Sequence, residues 1–531
     1  MNQRPPYNST RLPLPPQGAF PMGPMMPPSL RKPNGWKARI LGRMLPNGLY
    51  VIGDRNKNFV PLWLMTRTML VYIVVLLIVS MLWPRYMMPA EFIAISISLL
   101  MLFCYPAYSL SYSWRNVNDR VFRKKLFSVS IVIRLLFVAY TYIHNISYFG
   151  TPIGDQADTV FFITLGKEIE NGITHFDFAA PRAYLRNGSL SFDDLAYPIT
   201  LGIVYLLTGE ISDVLIPFIY KAFMGAYLVL MIFDIANRHF GTNVARIASV
   251  LCMLNPNMIW WGATMMKEAD MMFFTVLFVN IMDKTLWGTQ KFSVESIIPA
   301  ALIGMWVFLY RAALGAVCFM ALMFTIVLAS NRVIPNGKKI IVGVLVALVV
   351  GLGMGPRMFS DTHKMVENVQ EGGQQVNMEW RSKRAGGNTF AKYAGATVFA
   401  PLIFTIPFPT LTAANPDQYS QMQMSSGNFI KNVLSFFVIM SMIVLLLTGE
   451  WRKHVFPISF TLGYLFVLVM SGYEQSGRFH MPIWPFEMMF AAYGICVLPR
   501  QQKRWFNYVL VFEVLICIAW NWFKLKGRGM I

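Results

Sequence analysis

Four short segments of the sequence place charged side chains beside long apolar runs, where such groups can take part in chemistry. The first segment, residues 154–172, begins with Asp155 and Asp158, which share one face of a helical turn at this spacing. One carboxylate can accept a proton from an attacking hydroxyl while the other orients a substrate or a metal ion. The alternative is a helix cap, because aspartate also favours the first turn of a helix.

The second segment, residues 255–274, separates two apolar runs and carries Lys267, Glu268 and Asp270. Charges in such surroundings are costly and usually face a cavity or one another. The pattern therefore predicts a polar site supported by Glu268 and Asp270, with a plain hairpin tip as the alternative.

The third segment contains Arg311, which interrupts a long apolar run. A guanidinium in a polar cavity can bind a phosphate through two parallel hydrogen bonds. The same residue can instead mark a tight turn between two helices, and the sequence leaves both interpretations open.

The fourth segment, residues 471–494, carries Glu474, Arg478 and His480 at the mouth of a late apolar run. Arg478 and His480 are candidate anion ligands, and Glu474 is a supporting acidic group. The alternative for the two bases is that they extend to lipid head groups at the membrane surface.

The composition sets the class of protein that carries these segments. Of the 531 residues, 55% are hydrophobic and 14% are charged, against roughly 25% charged in a soluble protein. The net charge of +20 comes from bases that lie mostly in short segments between apolar runs. Such bases face anionic lipid head groups on the cytoplasmic side. The chain is therefore expected to contact membrane lipids and not nucleic acid.

The cysteines and histidines indicate neither a disulfide set nor a zinc site. No HExxH pattern occurs, and the five cysteines lie inside apolar runs without a CxxC pair, as small buried hydrophobic residues do. No metal ligand is assigned. The cysteines are Cys104, Cys252, Cys318, Cys496 and Cys517.

Apolar runs of a length that can cross a bilayer recur along the whole chain. They predict an all-α, polytopic transmembrane bundle of about thirteen spans. Two weaker stretches, 196–208 and 395–411, either cross or lie in the interface. The runs lie at about 64–83, 90–111, 127–147, 213–235, 244–262, 264–283, 297–310, 312–331, 340–356, 430–448, 455–471, 481–498 and 506–522.

Charge predicts the orientation of the bundle. Basic residues before the first run place the N-terminus in the cytoplasm, and residues 1–35 are a Pro-rich extension expected to be disordered. Two external loops follow, an acidic one at 148–195 and a polar one within 357–394. Asp155, Asp158 and Arg478 lie outside in either threading. Lys267, Glu268 and Arg311 join them only if residues 196–208 do not cross.

Several motifs between residues 127 and 498 resemble those of polytopic GT-C glycosyltransferases, such as protein O-mannosyltransferases and the lipid A aminoarabinose transferase. The matching positions are Asp158, Phe162 and Gly172, then Tyr197-Pro198, Phe240-Gly241, Pro256 and Glu268, and finally the stretch from Arg478 to Pro485. On this basis the chain divides into a cytoplasmic extension and juxtamembrane segment (1–62), two N-terminal spans (63–126), a GT-C-like core (127–356), an external loop with an interfacial segment (357–429) and C-terminal spans (430–531).

The resemblance implies a glycosyltransferase that moves a sugar from a polyprenyl-phosphate donor to a glycan, lipid or protein acceptor, with inversion. Asp158 or Asp155 would deprotonate the acceptor hydroxyl, while Arg478, His480, Lys267 or Arg311 would bind the donor phosphate. No cofactor is certain, and a divalent cation is compatible with the reaction. The implied location is a bacterial inner membrane.

Two other functions remain open on the sequence. A polymerase or ligase of surface-polysaccharide repeat units would use paired arginines such as Arg381 and Arg384 in the second external loop. A lipid or solute transporter or flippase would use charges within apolar runs, of which Arg134, Asp234 and Glu513 are examples.

Overall fold

The computed structural model describes a helical protein whose one β feature, among the described residues, is an isolated bridge between Met87 and Thr412. The prediction of an all-α bundle is confirmed. The described residues are 59–154, 157–187, 194–209, 214–287, 294–329, 336–349, 379, 382–383, 388–390, 396–414, 422–472, 475–498 and 503–531.

The α-helices follow the apolar runs of the sequence closely. In chain order they are α1 (Leu62–Leu82), α2 (Ala90–Ser113), α3 (Asp119–Phe149), α4 (Ala157–His175), α5 (Ala179–Arg186), α6 (Ala196–Thr208), α7 (Leu215–Phe240), α8 (Thr242–Leu254), α9 (Pro256–Trp260), α10 (Glu268–Leu286), α11 (Val294–Tyr310), α12 (Ala312–Leu328), α13 (Asn336–Val349), α14 (Ala396–Phe399), α15 (Ser425–Thr448), α16 (Val455–Ser471), α17 (Gly477–His480), α18 (Trp484–Val497) and α19 (Lys503–Lys526).

Judged by length and composition, the described residues contain fewer helices able to cross a membrane than the thirteen spans predicted from the sequence. Within the described part of the chain, six helices are long and apolar enough to cross a membrane, and a total of thirteen is not confirmed. Several other apolar runs form helices of 10–17 residues. The six are α1, α2, α3, α7, the helix Met422–Thr448 that contains α15, and Trp505–Lys526 within α19.

The two weaker stretches form elements too short to cross alone. Helix α6 has 13 residues, about 20 Å at 1.5 Å per residue, whereas the hydrocarbon core is about 30 Å thick. Residues 396–402 make only the short α14 and a 3₁₀ turn. Neither element is long enough to cross as a single straight helix, and α6 packs along α4.

Close helix packing builds the centre of the bundle around α7, α8, α15 and α18. Helix α7 packs against α3, α8 and α10, while α18 packs against α8 and α15. Nearly every residue of α18 is buried. A Cβ on Gly494 would collide with the backbone carbonyl of Phe437, so glycine is needed for α18 to approach α15 this closely.

Candidate functional site

Charged side chains from three distant parts of the chain meet at one end of the bundle. Asp158 lies in the first turn of α4, Glu268 begins α10, and Arg478 lies in α17. Nη1 of Arg478 donates to Oδ2 of Asp158 at 2.9 Å, and its Nε lies 3.8 Å from Oε1 of Glu268. One guanidinium therefore joins the two carboxylates, and Glu268 lies on the same face as Asp158.

The solvent exposure of the side chains decreases from Asp158 through Arg478 to Glu268. The side chain of Asp158 is 55% exposed and that of Arg478 is 34% exposed, whereas that of Glu268 is 2% exposed. Oε2 of Glu268 is buried and has no hydrogen-bond partner among the described residues. Buried polar atoms are normally paired, so this oxygen is a candidate acceptor for a ligand.

Arg311 belongs to the same group through an aromatic ring. The guanidinium of Arg311 lies 4.2 Å from the centroid of Phe479, and that of Arg478 lies 4.8 Å from the same centroid. Arg311 has an extended backbone between α11 and α12. Arg311 therefore marks the turn between the two helices and also contacts the same ring as Arg478, and its role as a phosphate ligand stays a prediction.

Lys267 connects the site to the end of the acidic loop. It forms an ion pair with Asp194, and its Nζ donates to the carbonyl of Tyr310 at 3.2 Å. Because Tyr310 directly precedes Arg311, Lys267 lies next to the turn that carries Arg311. The sequence assigned no role to Asp194.

Asp270 points away from Arg478 and into the bundle. Its Oδ2 lies 3.3 Å from Nζ of Lys221, and its Oδ1 accepts a hydrogen bond from Tyr220. Both members of the ion pair are fully buried. Asp270 therefore supports the site from beneath and does not line it.

Lys221 is a buried cation next to the site that sequence reasoning missed. Its Nζ donates to the carbonyls of Thr264 and Met266 at 2.9 and 2.6 Å, and to the hydroxyl of Tyr197 at 2.9 Å. These bonds hold the segment that leads into Glu268. The available signal was a lysine inside the apolar run of α7, where a charge normally has a specific partner.

Of the remaining predicted site residues, only His480 lies within the described part of the chain. His480 is fully buried at the end of α17. Asp155 and Glu474 lie outside the described residues, as do Arg381 and Arg384.

Two of the charges that suggested a transporter have protein partners. Nη1 of Arg134 donates to the carbonyl of Met258 at 3.0 Å, which ties α3 to α9. Asp234 forms an ion pair with Arg123. Both contacts are structural links between helices.

The prediction that a divalent cation is compatible with the site stays a prediction. Such an ion takes several oxygen ligands, and here the guanidinium of Arg478 lies between Asp158 and Glu268. The described residues contain no group of three or more His, Cys, Asp or Glu side chains placed to hold a metal.

Comparison with known proteins returns no matching family model and no matching curated protein. Among solved structures, the chain is similar to the archaeal oligosaccharyltransferase AglB from Archaeoglobus fulgidus in complex with an inhibitory peptide and a dolichol-phosphate. The identity is 13% and the TM-score 0.40, with 77% of this chain and 56% of that chain covered.

A second structure, the Archaeoglobus fulgidus oligosaccharyltransferase in complex with Zn and sulfate, is 14% identical with a TM-score of 0.39. It covers 76% of this chain and 52% of that one, so the chain spans about half the length of the structures it matches. AglB is a GT-C superfamily membrane glycosyltransferase, the class that the sequence motifs resemble. Similarity at this level is a likeness and does not make the chain a member of that family.

Proposed function

We propose that this membrane protein is a glycosyltransferase that moves a sugar from a polyprenyl-phosphate donor to a hydroxyl of a glycan, lipid or protein at the external face. The observation that carries the proposal is the guanidinium of Arg478, which joins the exposed Asp158 to the buried Glu268. The site thus combines a carboxylate that a polar acceptor can reach with cations that an anionic donor can reach. The motifs shared with GT-C enzymes suggest the donor class.

The donor phosphate is assigned to the cations around Phe479. Arg478 and Arg311 lie over its ring, and Lys267 lies next to the turn that carries Arg311. As the bond between the sugar carbon and the phosphate oxygen breaks, negative charge grows on that oxygen. Cations already fixed beside this oxygen stabilise the charge without having to reorganise during the reaction.

Asp158 is assigned as the base. Its carboxylate is paired with Arg478 at 2.9 Å. A phosphate that binds Arg478 competes for the same guanidinium, and this exchange releases the carboxylate of Asp158. The carboxylate then takes the proton of the acceptor hydroxyl while the hydroxyl oxygen attacks the sugar carbon from the side opposite the phosphate. Donor binding would therefore activate the base.

Glu268 is assigned an orienting role. Its Oε1 faces Arg478, while its buried Oε2 has no hydrogen-bond partner among the described residues. A sugar hydroxyl that donates to Oε2 would satisfy this atom. Glu268, beside Nε of Arg478, would then orient the sugar, while Asp158, beside Nη1, would accept the proton.

The test is Asp158→Asn, with Glu170→Gln on the same helix α4 as the matched control. Removal of a general base costs about 10²–10⁴-fold in rate, so we expect sugar transfer in membrane vesicles to fall by that factor at equal protein abundance. Binding of a short-chain polyprenyl monophosphate, measured by native mass spectrometry, should persist, because the cations remain.

Full transfer by Asp158→Asn would contradict the assignment of the base. Vectorial movement of the intact lipid across vesicles, with no transfer of sugar by the wild-type protein, would instead identify a flippase.

A further inference from the structure

A second group of buried charges lies among α15, α18 and α19, apart from the candidate site. Lys431, Glu487 and Glu513 are 1%, 2% and 0% exposed. Nζ of Lys431 lies 3.5 Å from Oε1 of Glu487. Neither carboxylate has a hydrogen-bond partner on either of its oxygens among the described residues. The group therefore holds two acids and one base in apolar surroundings.

All three N–H donors of Lys431 already face an acceptor other than Glu513. An ammonium group has three N–H donors. Nζ of Lys431 donates to the carbonyls of Phe404 at 3.3 Å and of Ile406 at a shorter distance. The third donor faces Glu487. Lys431 thus compensates one carboxylate and has no further proton to donate to Glu513.

The other ionisable groups around Glu513 add no positive charge. Helix α19 packs against α1 and α15. From α1 comes Tyr72, whose hydroxyl pairs with Ser96, and on α19 itself lies Cys517. Arg67 of α1 donates to Asn507, about 9 Å along the helix from Glu513. An ionised Glu513 would be an uncompensated buried charge, which is strongly unfavourable.

We propose that Lys431, Glu487 and Glu513 form an intramembrane proton-binding site, with the bound proton on the carboxyl group of Glu513. The proton brings the group to net neutrality, because Lys431 balances Glu487 and the protonated Glu513 carries no charge. A metal cation would need several oxygen ligands. The carbonyls of Phe404 and Ile406 already face Lys431, and the described residues hold no metal-ligand group of three.

The proton site adjoins the segment beside Arg478. Asn432, next to Lys431, donates to the carbonyl of Pro407 at 3.1 Å. A Cβ on Gly477 would lie 3.5 Å from the ring of Pro407, and Gly477 directly precedes Arg478. Contacts through Asn432 and Pro407 thus lead from the proton site toward the backbone next to Arg478.

The first test compares Glu513→Gln with Glu487→Gln in the full chain in detergent. Glutamine mimics a protonated glutamate, so Glu513→Gln should unfold within a few degrees of the wild type at neutral pH. Glu487→Gln removes the counter-ion of Lys431 and should lower the unfolding temperature by several degrees. Equal losses in the two variants would overturn the proposal, since they would mean that both carboxylates are ionised.

The pH dependence gives a second readout. Above about pH 4.3, the ordinary pKa of a glutamate, the unfolded chain has released this proton while the folded chain still holds it. The unfolding temperature of the wild type should therefore fall as the pH rises from about 4.3 through neutrality. The corresponding loss should be smaller in Glu513→Gln, which has no proton to lose. Parallel pH curves for the two proteins would contradict a titrating Glu513.

Infrared spectroscopy reports on the proton itself. The wild type should show the C=O band of a protonated carboxylic acid at neutral pH, and Glu513→Gln should lose it, whereas the control Glu170→Gln, at a half-buried position of α4, should keep it. Persistence of the band in Glu513→Gln would overturn the assignment to Glu513. Suppression of the band by added Na⁺ would show a metal-cation site instead.

Discussion

The two ends of α10 carry acidic residues in opposite situations. At its first residue, Glu268 meets Arg478 at 3.8 Å through one oxygen, while the other oxygen has no partner among the described residues. Near its last turn, Asp283 uses both oxygens. Oδ1 accepts from Nε2 of His239 at 2.9 Å, and Oδ2 accepts from Nε of Arg238 at 2.6 Å. The two acids lie about four turns of helix apart.

The Asp283 end is closed by a further contact. Nδ1 of His239 lies 3.0 Å from Nδ1 of His454, which joins α7 to the start of α16. Asp283 and His454 are buried, so this network is both shielded and paired. The end that contains Asp158 and Arg478 is half-exposed and only partly paired. Fully satisfied polar networks hold helices together, whereas partly satisfied ones are where a ligand can add contacts.

The largest expected effect follows from removing the cation that links the two carboxylates. Arg478→Ala should lower the rate of sugar transfer by about 10²–10³-fold, because a fixed donor to the developing charge is lost. Binding of a short-chain polyprenyl monophosphate should weaken as well. Transfer is compared per folded molecule, because the buried Glu268 also loses a cation 3.8 Å away. The matched control is Arg182→Ala on the exposed face of α5. Unchanged binding and transfer in Arg478→Ala would mean that the Glu268 end of α10 is a structural contact like the Asp283 end and not a ligand site.

The opposite pattern is expected at the closed end. Asp283→Asn leaves the charge of Arg238 without its carboxylate, and breaking a buried ion pair in this way costs about 3–5 kcal/mol. The unfolding temperature in detergent should fall, while transfer per folded molecule should persist. Lys284→Gln, an exposed change on the same helix, is the control. A loss of transfer without a loss of stability would indicate that Asp283 acts in function.

The smallest effect concerns acid pH. Burial, with the nearby charges of His239 and Lys453, holds the pKa of His454 well below 6.5. Between that pKa and 6.5 the unfolded chain binds a proton that the folded chain does not, so stability is lost as the pH falls below 6.5. The unfolding temperature of the wild type should therefore drop in this range.

The variant His454→Asn should show a weaker dependence on acid pH, measured as the slope of unfolding temperature against pH. An unchanged slope would mean that the folded state accommodates the charged imidazole. The two effects have opposite signs, since stability falls with decreasing pH because of His454 and with increasing pH because of Glu513, so the variants His454→Asn and Glu513→Gln separate them.

What the sequence by itself determined is the helical membrane class and the positions of charge along the chain. Apolar runs and their flanking charges are local properties, so they predicted the helices and placed Asp158, Glu268 and Arg478 at helix ends. They did not determine how many helices are long enough to cross a membrane, because the length of an apolar run does not fix where a straight helix ends. Helix α6, with 13 residues, illustrates this limit.

Only the tertiary structure decided which charges meet. Asp158 and Arg478 lie 320 residues apart in the chain, and no spacing rule connects them. Two residues apart on α10, Glu268 faces the half-exposed Arg478 while Asp270 faces the buried Lys221. Successive positions on a helix point in different directions, and the neighbours they meet depend on how whole helices pack. That packing placed Asp158, Glu268, Arg311 and Arg478 around a single aromatic ring and guanidinium.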